Sequence, residues 1–230
     1  MKILAVIPAR GGSKGLLRKN VLPLAGKPLI AHSIAAAKLA GCIDRIIVST
    51  DDAEIAAVAA EYGAEVPFIR PSALADDTAS GTAVAIHAIE HLIASENYRP
   101  DLVLFLQPTS PLRSGDDIRA AVNLGTRQGL PVIGLKPVTQ YPQWMKRIGG
   151  DGRIHPLFPD LAVADTRQEL PASYLVNGAI YLTTTDFLLE HRSFHEPAPL
   201  PYLMPAERSV DIDTLSDFAL AEHLLEAGRG

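Results

Sequence analysis

Alternation constrains this chain more than any single motif does. Through the first 135 residues, short runs that are apolar throughout take turns with longer segments of helical periodicity. "ILAVI" precedes "PLIAHSIAAAKLAG", and "RIIVS" precedes "DAEIAAVAAEYG". "EVPFI" precedes a helix predicted from about Gly81 to Ser95, "DLVLFLQ" precedes one from about Gly115 to Gln128, and "PVIGLK" follows. A strand that is apolar on both faces must be covered on both, and helices between consecutive strands supply that cover. The pattern therefore predicts an α/β fold, a mostly parallel twisted sheet with helices on both faces. In such sheets ligands sit beyond the carboxyl ends of the strands, so the loops after Ile7, Val48 and Leu106 should converge on one edge.

The rhythm breaks from Pro137 to Val176, where Pro137, Pro142, Pro156, Pro159 and Pro171 accompany "GGDGR". This segment reads as an excursion within a single domain covering residues 1–230. Its apolar anchors, Trp144, Met145, Ile148, Leu157 and Phe158, lack the periodicity to form their own core, so burial against a second subunit is expected. The regular pattern resumes at "GAIYLT", passes "TDFLLEH", and ends with "SVDID" before the amphipathic "TLSDFALAEHLLEAG". With 47% hydrophobic residues the chain can bury one sizeable core. A net charge of −5 argues against a nucleic-acid binder that works by bulk charge. No stretch approaches the ~18 apolar residues of a membrane span, and the first apolar run is too short for a signal-peptide core, so a cytoplasmic protein with no membrane partner is expected. The lone Cys42 cannot form an internal disulfide and reads as a small buried hydrophobe.

"IPARGGSKGLLRKN" crowds Arg10, Lys14, Arg18 and Lys19 around Gly11, Gly12 and Gly15 directly after the first strand. It matches neither the Walker A spacing nor the dinucleotide fingerprint. Glycines that admit backbone N–H groups and cations that neutralise charge still suit a polyphosphate; the alternative is a solvated basic turn. In "SVDIDT", Asp211 and Asp213 would share one side of an extended strand, with Ile212 facing away. Such a pair suits magnesium shared with substrate phosphates, or a helix cap formed by Asp213 and Thr214. "LQPTSPLR" offers Gln107, Thr109, Ser110 and Arg113 on a loop stiffened by Pro108 and Pro111, fit to orient a hydroxyl-rich ligand. In "STDD", Asp51 and Asp52 read as a helix cap. The histidines show no metal-ligand spacing.

Taken together, "IPARGGSKGLLRKN", "IIVSTDDAEIA", "RPSALADDTAS", "LQPTSPLR", "RQELP", "NGAIY" and "SVDIDT" cover nearly the whole chain in order. They resemble the acylneuraminate cytidylyltransferases, the CMP-sialic acid synthetases. The resemblance implies a nucleotide-diphospho-sugar transferase-like fold, a homodimer built partly from the excursion at 137–176, and Mg²⁺ dependence. It also implies transfer of CMP from CTP to the anomeric hydroxyl of a nine-carbon keto sugar acid. By position it assigns Arg10, Ser13, Lys19 and Asn20 to the nucleotide, with Lys19 on the phosphates. Arg70, Ala79 and Gly81 fall at the cytidine end, Gly81 through its backbone. Gln107 falls at the sugar acid with Arg167 and Tyr181 nearby, and Asp211 and Asp213 fall at the metal. Lys19, Arg10 and Asp211 would then carry the chemistry. One departure stands out: sialic acid-specific members can carry an arginine two residues before the "NGAIY" asparagine, and here that residue is Leu175. A legionaminic, pseudaminic or Kdo acceptor is the alternative within the enzyme class. A non-catalytic nucleotide-sensing module on the same fold is the alternative outside it.

Overall fold

The computed structural model describes residues 1–12, 15–76, 78–161, 166–196 and 198–228. Its centre is a six-stranded sheet built from β1 (Ile3–Pro8), β4 (Arg45–Ser49), β5 (Leu102–Phe105), β6 (Val132–Pro137), β9 (Tyr174–Thr184) and β10 (Leu200–Leu203). The strand order is β10-β6-β9-β5-β1-β4. The pairs β1–β4, β1–β5 and β10–β6 are parallel, and β9 alone runs antiparallel, to both β5 and β6. Strand alternation sorts the core. Ile3, Ala5 and Ile7 face α1 (Leu29–Ala40), α2 (Ala53–Glu61) and α4 (Gly115–Gln128), while Leu4 and Val6 face α3 (Gly81–Glu96) and α5 (Thr185–His191). The mostly parallel sheet with helices on both faces is the architecture the alternation predicts. No helix among the described residues is long and apolar enough to cross a membrane.

Two predicted strands take another form. "EVPFI" contributes only isolated bridges, Ile47 to Glu65 and Thr50 to Ile69, because Pro67 between them has no N–H for a ladder. "SVDID" joins no sheet, and Ile212 N–H instead donates to the Thr109 carbonyl at 2.8 Å. The side-chain alternation expected of it survives: Ile212 is fully buried among Leu16, Leu24, Leu29 and Ala221, while both aspartates face outward from that cluster. Ala221 lies on α6 (Leu215–Ala227), and Leu24 on the short hairpin of β2 (Pro23–Leu24) and β3 (Lys27–Pro28). The excursion leaves from the end of β6 and returns at β9, holding a small hairpin of β7 (Lys146–Ile148) and β8 (Ile154–Pro156).

From β1 the chain goes outward to β4 and then crosses back to β5 on the other side. Its connections thus leave β1 in opposite directions, which opens a crevice at the carboxyl ends. Polar struts tie the start of α4 to the β10 edge of the sheet. Asp117 closes a capping box with Ser114 at the start of α4 and accepts hydrogen bonds from the Tyr202 hydroxyl and the Arg208 guanidinium at 3.0 Å each. Burial alone would push its carboxyl up, but the hydrogen bonds from Arg208, Ser114 and Tyr202 outweigh it and hold the group below the usual carboxylate range. A depressed carboxylate adds stability above its unfolded pKa and loses it as pH falls through the folded value. Asp117→Asn should therefore cost about 1–2 kcal/mol at neutral pH. In thermal melts, the gap to wild type should narrow as pH falls below about 4, where the unfolded carboxyl titrates.

Candidate active site

At the crevice lies a cavity of about 340 Å³ lined by Arg10, Lys19, Asn20, Arg70, Ala79, Gly81, Gln107, Asp211 and Asp213. The structure thus gathers most of the predicted residues from six separate stretches of chain. Ser13 falls outside the described residues. Tyr181 lies behind the cavity wall: its ring packs against Phe105, Phe194 and His195, and burial, then the Asp211 charge, raises its hydroxyl pKa. Arg167 is not brought to the cavity within this chain. It is exposed on the excursion, with its guanidinium 5.8 Å from the centre of the Tyr141 ring.

The described cations of the first loop divide into two kinds, and Lys14, like Ser13, lies outside the described residues. Arg18, at a positive φ of 57°, is bound by the carboxylates of Asp52 and Glu54. Asp52 in turn caps α2 through the Glu54 and Ile55 N–H groups, and Asp51 accepts from Gly11 N–H at 2.9 Å. "STDD" therefore shapes the loop from behind and does not line the cavity. Arg18 is a strut rather than a free cation. Lys19 and Arg10 face the cavity. Lys19 is nearly buried, and its ammonium donates to the Ile212 carbonyl at 2.6 Å and to Asp213 Oδ1 at 3.1 Å. Asn20 fixes the strand exit by donating to the Arg10 carbonyl at 3.1 Å. Gly15 completes the junction, since a Cβ there would lie 2.3 Å from the Asp213 carbonyl oxygen.

Opposite, Arg70 is 5% exposed and anchored on Ser49 through both its side chain and its carbonyl. Burial lowers its guanidinium pKa to about 10, so it remains a cation at neutral pH. Gly81 opens the floor, because a Cβ there would press on the Phe105 ring at 2.9 Å. The "LQPTSPLR" loop does two jobs. Gln107 and Thr109 line the cavity. Ser110 and Arg113, expected to meet ligand, are instead buried: Arg113 donates to the Ala179 carbonyl at 2.7 Å and to Ser33 Oγ at 2.6 Å, and Ser110 to the Asn177 carbonyl at 3.1 Å. They stiffen the loop against β9.

Asp211 is the electrostatic centre. Its Oδ1 is buried with no hydrogen-bond partner among the described residues. Burial, with repulsion from Asp213, raises its carboxyl pKa against a hydrogen bond from Thr109 and the pull of Lys19 and Lys136. An orphaned carboxylate oxygen beside a second carboxylate fits a hard divalent cation such as magnesium. Among the described residues no group of three or more ligating side chains gathers. A cation here would need ligands from a bound phosphate as well. Asp213 remains available to it because Thr214, not Asp213, caps α6 in a capping box with Asp217.

Residues 4–139 match the family model described as cytidylyltransferase. The chain is 42% identical to a CMP-N,N'-diacetyllegionaminic acid synthase of Legionella pneumophila, over 98% of this chain and 97% of that one. It is 36% identical to a pseudaminic acid cytidylyltransferase of Campylobacter jejuni, over 97% and 96%. It is also 34% identical to an N-acylneuraminate cytidylyltransferase of Escherichia coli, over 96% of this chain and 51% of that one. The solved structure of CMP:2-keto-3-deoxy-manno-octonic acid synthetase complexed with CTP superposes over 99% of this chain with a TM-score of 0.73 at 19% identity, a likeness of fold. With the family model spanning more than half of its length and the Legionella and Campylobacter relatives aligned nearly end to end, the chain belongs to the cytidylyltransferase family.

Proposed function

We propose that this protein transfers CMP from CTP to the anomeric hydroxyl of a nonulosonic acid, releasing pyrophosphate, and that it works in the cytoplasm as a homodimer. The observation that carries the reading is the orphaned Asp211 oxygen in a cavity that also gathers Arg10, Lys19 and Arg70. The anomeric oxygen forms a bond to the α-phosphorus as its proton passes to water, the bond from that phosphorus to the bridging oxygen breaks, and the electron pair leaves with pyrophosphate. The protein's part is positioning and neutralisation. Lys19 and Arg10 meet the triphosphate charge, Asn20 holds the loop side, Arg70, Ala79 and Gly81 form the end that takes the cytidine, and Ser13 is assigned to the nucleotide by its place in the motif alone. Gln107 orients the reacting end of the acid where the cavity borders Asp211, Tyr181 stands behind that wall, and Arg167 reaches an acceptor only from a second subunit. Asp211 and Asp213 would hold Mg²⁺, which supplies positive charge at the phosphate oxygens. A legionaminic-type acceptor is favoured by Leu175, which stands where sialic acid-specific members can carry arginine, and by the identity to the Legionella relative.

Pyrophosphate release, measured over a panel of nonulosonic acids with CTP against ATP, GTP and UTP, tests the reading. Release with CTP and at least one such acid is expected; silence across the panel would refute it. Asp211→Asn should lower turnover by ~10²- to 10³-fold. The same change should stabilise the ligand-free protein. A carboxyl held above its usual range costs stability once ionised, so the variant should melt higher at pH 8, and the difference should vanish below about pH 4. Undiminished turnover in the variant would count against the metal assignment. The excursion leaves Trp144, Met145, Ile148, Ile154, Leu157 and Phe158 exposed, which is the basis for the homodimer. A dimer mass by light scattering at micromolar concentration is expected, and Ile154→Asp should shift it toward monomer.

A further inference from the structure

Asp211 is shared between two cavities. Besides the nucleotide cavity it lines a second one of about 490 Å³, enclosed between the end of β6, the start of β9 and α6. This second space is mixed in character, with Met145, Leu175 and Leu220 beside Thr139, Ser173 and Ser209. Its one cation among the described residues is Lys136 on β6. The Lys136 ammonium donates to the Ser209 carbonyl at 3.2 Å and makes no ion pair with any described carboxylate, although its charge is felt at Asp211 and Asp217. An ammonium has three donors, so its other two are not committed by that contact.

The position of Lys136 is set by a buried network. Asn177 donates to Ser209 Oγ at 3.0 Å and accepts from Ala179 N–H at 3.1 Å, and Ser209 Oγ donates to the Pro205 carbonyl at 2.9 Å. The carbonyl that holds Lys136 is thereby fixed relative to Asp211, two residues further on. Register adds a second constraint. Lys136 is the direct cross-strand partner of Leu175 in the antiparallel β6–β9 pair, so the two side chains share one face. A cation absent at 175 is therefore present on the facing strand, against the same space.

We propose that Lys136 binds the carboxylate of the acceptor acid, and that the second cavity receives the body of that acid while its anomeric hydroxyl lies at the Asp211 boundary. This rests on the nonulosonic acid reading above. The acid carries a carboxylate on its anomeric carbon, so a partner for that charge must sit beside the reacting oxygen, and Lys136 is the cation of this cavity that also faces Asp211. The apolar wall at Met145 and Leu220 suits N-acyl methyl groups. Repulsion from Asp217 is muted because that carboxylate already accepts hydrogen bonds from Asp213 N–H, Thr214 N–H and the Thr214 hydroxyl.

Steady-state kinetics of Lys136→Met and Lys136→Arg test the assignment. Lys136→Met should raise KM for the acid roughly 10- to 100-fold, the worth of a charge-assisted hydrogen bond, with KM for CTP and the Mg²⁺ requirement unchanged. Lys136→Arg should retain most of the affinity. Lys136→Met combined with Leu175→Arg should recover a large part of it, because the new cation enters from the facing strand. An unchanged acid KM would overturn the proposal. So would a loss confined to kcat and Mg²⁺ dependence, which would make Lys136 only a neighbour that tunes Asp211. Calorimetric titration of N,N'-diacetyllegionaminic acid into the CMP-loaded protein reads the same site without turnover. Binding by wild type that is lost in Lys136→Met would support the site even if CTP turnover failed; equal binding by both, or by neither, would overturn it.

Discussion

The contact on which the site depends is the one Lys19 makes across the molecule. Its ammonium reaches the Ile212 carbonyl and the Asp213 carboxylate, 193 and 194 residues away in sequence. Around it the two ends of the chain are packed as one body. Leu16 shares an apolar cluster with Val210 and Ile212, and Gly15 meets the Asp213 carbonyl so closely that no larger residue fits without moving one of the segments. The loop that presents cations and the segment that presents carboxylates therefore cannot shift independently. That coupling sets the distance between positive and negative charge in the cavity, which a nucleotidyl transfer needs fixed before substrate arrives.

The charges of the crevice then sort by whether they are already matched. Arg18 is matched by Asp52 and Glu54, and Asp117 by Arg208 and Tyr202, and neither pair lines the nucleotide cavity. Asp211 is the exception: the residue is partly buried, its Oδ1 is buried without a partner among the described residues, and it is pushed away from its charged form. A fold keeps such a group at a cost in stability, and the cost is offset when a cation or a ligand supplies the missing interaction. Arg70 is the complementary case, a buried cation held by neutral oxygens of Ser49 and Leu74. An anion entering the cavity meets preorganised charge that has little solvent to give up.

The sheet and its helices were legible because their signal is local. Apolar runs, helical periodicity and capping residues such as Ser114 and Asp52 lie within a few positions of the elements they define, and α4 falls on the predicted Gly115 to Gln128. Proline overrode the pattern at "EVPFI", where the run is apolar but its backbone cannot pair. At the site, the residue types of the motifs were legible and their orientations were not. Arg113 and Arg10 look alike as motif arginines, yet one is a strut against β9 and the other lines the cavity. Lys136 went unnoticed because its significance comes from its strand partner Leu175 and from a cavity shared with Asp211, and neither is a feature of the sequence around it.

On the function proposed here, one cavity takes a cytidine triphosphate with its α-phosphate against the Asp211 and Asp213 pair. Anomalous diffraction from crystals soaked with CTP and Mn²⁺ tests this most directly. A manganese peak at Asp211 and Asp213 is expected, with the triphosphate beside Lys19 and Arg10 and the base at Arg70, Ala79 and Gly81. Manganese bound away from the two aspartates, or a nucleotide lying outside this cavity, would contradict it.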